Sequence, residues 1–167
     1  MLFRFVLLAF CVIHPYLAIA STVALSANSG EFNAKSLGSP AMQGTLPASF
    51  RITHFDSSGA WPAAAYVGFF QGPNRNESVQ FFIVRNKVSD AHLVAGYRVI
   101  EAGKEVKVAS VGTLLPTEMA HVTITIDHGL AKIFLPNREP VVLKTKLGDV
   151  SPYISVSSGT AEFEIAP

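Results

Sequence analysis

From position 49 to the end, the chain is a succession of short segments in which apolar and polar residues alternate, each closed by a small cluster of turn formers. This pattern constrains the fold more than any other feature. A period of two places successive side chains on opposite faces of a β-strand, whereas an amphipathic helix repeats about every 3.6 residues. The alternating segments are 49–55, 63–71, 77–85, 91–100, 104–110, 121–127, 130–135, 140–145, 153–156 and 160–165. Between them lie Asp56-Ser57-Ser58-Gly59, Gly72-Pro73-Asn74, residues 86–90, Ala102-Gly103, His128-Gly129, Pro136-Asn137, Gly148-Asp149 and Ser157-Ser158-Gly159. Residues 21–47, rich in Ser, Gly, Ala, Asn and Pro, are expected to hold one short strand near 23–25 or 30–34 and a connecting loop. Only 114–121 has room for a helical turn, with Pro116 inside it. Many short strands at such spacing, with no long helical period, predict an all-β sandwich or barrel.

One hairpin is specified down to its register. With His128-Gly129 as a two-residue turn, Ile126 faces Ala131, Ile124 faces Ile133 and Val122 faces Leu135. All six side chains then share one face, and Thr125–Lys132 and Thr123–Phe134 occupy the other. A shift of one residue would turn the polar set inward.

The first twenty residues differ from the rest. Arg4 precedes an apolar run over 5–13, followed by Ala18-Ile19-Ala20. Positive charge, apolar core and small-residue ending are the order of a secretory signal peptide, with cleavage expected after Ala20. The apolar run is shorter than the roughly 20 residues that span a bilayer. Removal of 1–20 leaves 147 of the 167 residues as one β-sandwich domain, 21–167, for a secreted or periplasmic/extracellular address. It also removes the only cysteine, Cys11, so the mature chain can form no disulfide. It removes Arg4 as well, leaving 12 basic and 12 acidic residues. A balanced charge argues against nucleic acid, which selects a basic surface, and against electrostatic attachment to membranes. No membrane insertion is expected after signal cleavage.

At several points the chain resembles the concanavalin A-like lectin/glucanase superfamily, in particular its small laminin-G-like members. FRITHFDSSGAWPAAAYVGFFQG is similar to a strand–loop–strand in which a long strand leads into a Gly-bearing one, and SVQFFIVRN to the strand that follows. VTITIDHGLAKIFLPNREPVVLKT resembles the family's hairpin and next strand, and SSGTAEFEI its closing acidic-apolar strand. The resemblance covers 49–165. It implies a two-sheet antiparallel β-sandwich, a jelly roll, with one concave face. Many members bind carbohydrate there, some hydrolyse it, and others bind proteins or act as spacers.

The catalytic signatures are missing. A retaining glycosidase needs two carboxylates about 5 Å apart, and the superfamily's glucanases carry an E-x-D-x-E-type strand. The nearest match is Glu162-Phe163-Glu164, which lacks a third acid and reads as a solvated strand face. Asp56, Asp90, Asp127 and Asp149 fall one to a turn, where Asx turns are the default, so no cofactor is expected; calcium would be the metal to consider. The histidines His54, His92, His121 and His128 form no zinc motif, and no G-x-S-x-G elbow occurs. Asn76-Glu77-Ser78 is an N-glycosylation sequon.

Sugar recognition combines aromatic faces with planar polar side chains. The candidates are Trp61, Tyr66, Gln80, Arg85, His92 and Tyr97, with Arg98 beside them. Trp61 is the only tryptophan and falls in a loop, where it either meets a ligand or plugs the end of the sandwich. The sequence therefore predicts a secreted, non-catalytic module binding carbohydrate or a glycan-bearing surface. The alternatives are a glycoside hydrolase-like enzyme with an unrecognised acid pair, and a structural or adhesion protein binding other proteins.

Overall fold

The computed structural model describes residues 20–56, 61–73, 75–87 and 89–166. The expected signal segment apart from Ala20, most of the Asp56-Ser57-Ser58-Gly59 turn, Asn74 and Val88 lie outside the described residues. Ten strands follow one another: β1 (Ser21–Ser36), β2 (Gln43–Phe55), β3 (Ala63–Gln71), β4 (Glu77–Arg85), β5 (Leu93–Glu101), β6 (Lys104–Leu114), β7 (Ala120–Asp127), β8 (Leu130–Phe134), β9 (Val141–Lys144) and β10 (Ser151–Ile165). Among the described residues there is no helix.

All the strands pair antiparallel in the order β6-β5-β4-β3-β10-β2-β7-β8-β9, with β1 on the free side of β10. β10 is the spine. Its first half pairs with β3 (Ser151↔Phe70 to Ser157↔Ala64) and its second with β2 (Gly159↔Phe55 to Ile165↔Ala48). β1 follows it through both halves. The ribbon bends where residues 28–31 of β1 bulge opposite Ser158. Gly30 and Ser158 both adopt positive φ there, +73° and +47°, and the Gly30 N–H donates to Ser158 Oγ at 3.1 Å. A bulge kinks a strand without ending its pairing. One continuous sheet thus folds into two layers, β6-β5-β4-β3-β10-β1 and β1-β10-β2-β7-β8-β9.

The core lies between these layers. β2, β7, β8 and the second half of β10 contribute Leu46, Phe50, Ile124, Ile126, Ile133 and Phe163; the other layer contributes Val67, Phe69, Val79, Phe81, Ile83 and Ile154. Phe50 links them, stacked on Phe163 at 5.6 Å and edge-on to Phe81 at 6.1 Å. Gly44 leaves room for the Phe69 ring, since a Cβ there would meet Phe69 Cε1 at 2.8 Å.

The hairpin has the register read from the sequence: Ile126↔Ala131, Ile124↔Ile133, Thr125↔Lys132 and Thr123↔Phe134. Both turn residues have positive φ, His128 at +46° and Gly129 at +78°, the combination a two-residue type I′ turn requires.

Three expectations need correction. The two short strand positions near 23–25 and 30–34 are parts of one 16-residue strand, joined through the bulge. Ser157-Ser158-Gly159, expected to break the chain, lies within β10, because Ser158 bends the strand while both neighbours stay paired. β2 begins at Gln43 rather than Ser49 and includes Pro47. Proline fits there because Pro47, opposite Thr123 of β7, turns its carbonyl to Ala166 on the β10 side, past the last β10–β2 pair, so the β2–β7 ladder does not need its N–H.

Candidate functional site

In the β6-β5-β4-β3-β10-β1 layer, strand alternation decides which residues can meet a ligand. Val67, Phe69, Val79, Phe81, Ile83, Val99 and Ile154 point into the core. Their neighbours in sequence therefore form the outer face. Pairing sets those neighbours in rows. One row runs Tyr153–Gly68–Gln80–Arg98, and the next runs Ser155–Tyr66–Phe82–Gly96.

Arg98 is the centre of this face. Its guanidinium lies over the Tyr66 ring, 4.5 Å from the centroid. Its Nε donates to Gln80 Oε1 at 2.7 Å, and its Nη1 stands 3.9 Å from Glu105 Oε2. Gln80 Nε2 donates to Ser78 Oγ at 2.8 Å. Burial pushes the Tyr153 pKa up, against the smaller opposing influence of Ser78 close by. The polar floor is closed off from water although it faces away from the core: Gln80 is 4% exposed and Tyr153 is 1% exposed. Larger side chains close over it. Phe70 meets Tyr153 edge-on at 5.1 Å, and Arg75 lies over Phe70 at 5.2 Å.

Aromatic rings continue across the strands from there. Phe32 of β1 lies 6.0 Å from Tyr66, and Tyr66 lies 6.3 Å from Phe82 of β4. Phe82 occupies space that Gly96 leaves, since a Cβ on Gly96 would stand 2.6 Å from Phe82 Cζ. Phe32 is 44% exposed. The face thus presents three rings in line with a guanidinium held over the middle one. Such a surface can stack on an apolar ring face while Arg98 donates hydrogen bonds to oxygen atoms.

The structure divides the residues singled out from sequence. Tyr66, Gln80 and Arg98 come together. Trp61, Arg85 and His92 fall at one end of the sandwich, beyond the Ala64–Val84–Val94 row. Trp61 there is 52% exposed, so it does not plug that end. Arg85 lies over Phe55 at 4.9 Å and donates to the Asp90 carbonyl at 3.2 Å. Tyr97 points into the core and is buried. Phe32, Phe82, Ser78 and Tyr153 belong to the face and were missed. Ser78 and Phe82 were within reach, because they alternate in step with Gln80. Phe32 joins through pairing of the two ends of the chain and Tyr153 through pairing of β10 with β3, contacts between segments far apart in sequence that leave no local signal.

The acidic strand lies elsewhere. Glu162 is on the outer side of the other layer, paired with Arg51 at 2.9 Å, and Glu164 is exposed beside it. Among the described residues, no three His, Cys, Asp or Glu side chains converge as a metal site.

No family model matches the sequence, and no curated protein matches it. Solved structures do. A carbohydrate-binding module, CBM66 from Bacillus subtilis, aligns over 89% of this chain and 95% of its own, with a TM-score of 0.58 and 11% identity. The fold is an antiparallel β-sandwich of the jelly-roll kind. An alginate lyase from Alteromonas sp. 272 aligns over 87% of this chain and 85% of its own, with a TM-score of 0.58 and 8% identity. An alginate lyase of polysaccharide lyase family 7 aligns over 87% and 76%, at 0.52 and 14%. At these identities the likeness concerns the jelly roll itself. This jelly roll carries its rings and guanidinium on the outer face of one layer and its acidic strand on the other.

Proposed function

We propose that this protein is a secreted, non-catalytic binding module whose Phe32–Tyr66–Phe82 face, with Arg98 and Gln80, takes carbohydrate. One observation carries the reading: Arg98 is stacked over Tyr66 at 4.5 Å and held at its Nε by Gln80, so its remaining donors are fixed beside an aromatic face. Sugars present both an apolar ring face and hydroxyl oxygens, and this pairing answers both. The likeness to a carbohydrate-binding module supports the reading. So does the signal-like pattern of residues 1–20.

The layout of the face supports the non-catalytic part of this reading. A hydrolase would need two carboxylates flanking the bound sugar. Glu162 and Glu164 lie on the opposite layer, and Glu105 is the carboxylate beside Arg98. Tyr153 is buried. The test is a glycan array probed with the mature chain. Retention of soluble oligosaccharides without their cleavage is the expected result. Binding to no saccharide would refute the carbohydrate reading, and release of shortened products would refute the non-catalytic one.

A further inference from the structure

Beneath the exposed face runs a chain of side chains with a fixed polarity: Arg98, Gln80 and Ser78. We infer that Ser78, which does not reach the surface, is a positioning residue that sets the orientation of the Arg98 guanidinium and hence the specificity of the face. The inference rests on the proposed carbohydrate site for its functional meaning, but its physical content is independent of it.

The argument follows from hydrogen-bond inventories. A guanidinium has donors only, so the Gln80 group 2.7 Å from Arg98 Nε is the amide oxygen. That directs the amide nitrogen the other way, where it needs an acceptor. Ser78 Oγ supplies one at 2.8 Å. Ser78 and Gln80 lie two residues apart on β4 and therefore share a face. Ser78 and Gln80 are both almost fully enclosed, so no water competes for the amide. Without Ser78, the Gln80 nitrogen would be buried without a partner, a state that favours turning or displacing the amide. Arg98 would then lose its anchor and be left with the Tyr66 ring and a distant Glu105.

The experiment uses nitrogen-15 NMR on the mature chain without ligand, reading solvent exchange of the Arg98 Nε–H. Ser78→Ala should speed that exchange by about tenfold, the scale of one lost buried hydrogen bond. Phe70→Leu is the control. It disturbs packing against Tyr153 but leaves every hydroxyl and amide of the chain in place, so it should lower the melting temperature without speeding the exchange. Unchanged exchange in Ser78→Ala would overturn the inference. So would equal acceleration in Phe70→Leu, which would reduce the effect to packing. A second arm titrates a linear oligoglucoside and an oligouronate of equal length. Whichever binds the wild type should bind Ser78→Ala about tenfold more weakly. If neither binds while the exchange difference holds, the positioning chain stands, and the glycan array decides the carbohydrate reading.

Discussion

Arg98 combines three contacts in one side chain: a ring beneath it, an amide at its Nε and a carboxylate at the far edge of its fork. A guanidinium held by ring and amide has lost much of its rotamer freedom before any ligand arrives, which lowers the cost of binding. Arg98→Ala should therefore weaken saccharide binding by about 2 kcal/mol or more, the scale of an interface hot spot, and titration calorimetry would measure it. Trp61 tests the opposite case. Half exposed at the end of the sandwich, it should tolerate replacement by Ala with a stability change below about 0.5 kcal/mol. A thermal melt checks this; a loss of about 3–5 kcal/mol would mean that the ring is a core element after all. At this scale the sequence was partly legible. Tyr66, Gln80 and Arg98 stand out as an aromatic and two planar polar groups on strands. Tyr97 has the same chemistry as Tyr66, and only the alternation across Val99 and Ala95 shows that it points inward.

Strands were more legible than residues where their partners are near in sequence. The β7–β8 hairpin is local, so its turn, register and buried face were all read from one stretch of chain. Ile124→Asp should unfold the protein or cost several kcal/mol, because it places an unpaired carboxylate in a fully buried row opposite Ile133. Thr125→Asp, on the outer face, should be tolerated. Chemical denaturation of the two variants makes the comparison. The β1–β10 ribbon is the contrasting element. Its strands come from opposite ends of the chain, so nothing local revealed that Ser157-Ser158-Gly159 bends a strand instead of ending one. Gly159 is required at that bend: a Cβ there would stand 2.3 Å from the His54 carbonyl oxygen. Gly159→Ala should cost about 1–3 kcal/mol, the range for overpacking, read as a lower denaturation midpoint.

At the level of the whole molecule, the two layers are continuous through β10 and β1, and the ring-bearing face spans strands from both ends of the sequence. Phe32 comes from β1 and Tyr153 from β10, while Tyr66, Gln80, Phe82 and Arg98 come from the middle. Site and fold are therefore coupled. Deleting residues 21–36 would strip one edge of β10 and remove Phe32, and circular dichroism of that variant should show loss of the β signal. Carbohydrate binding on the proposed Phe32–Tyr66–Phe82 face is tested directly by mapping chemical-shift changes when the strongest glycan-array binder is titrated into labelled mature protein. Changes concentrated at Phe32, Tyr66, Gln80, Phe82 and Arg98 are expected. Changes centred instead on Trp61 and His92, or on Arg51 and Glu162 of the other layer, would contradict it.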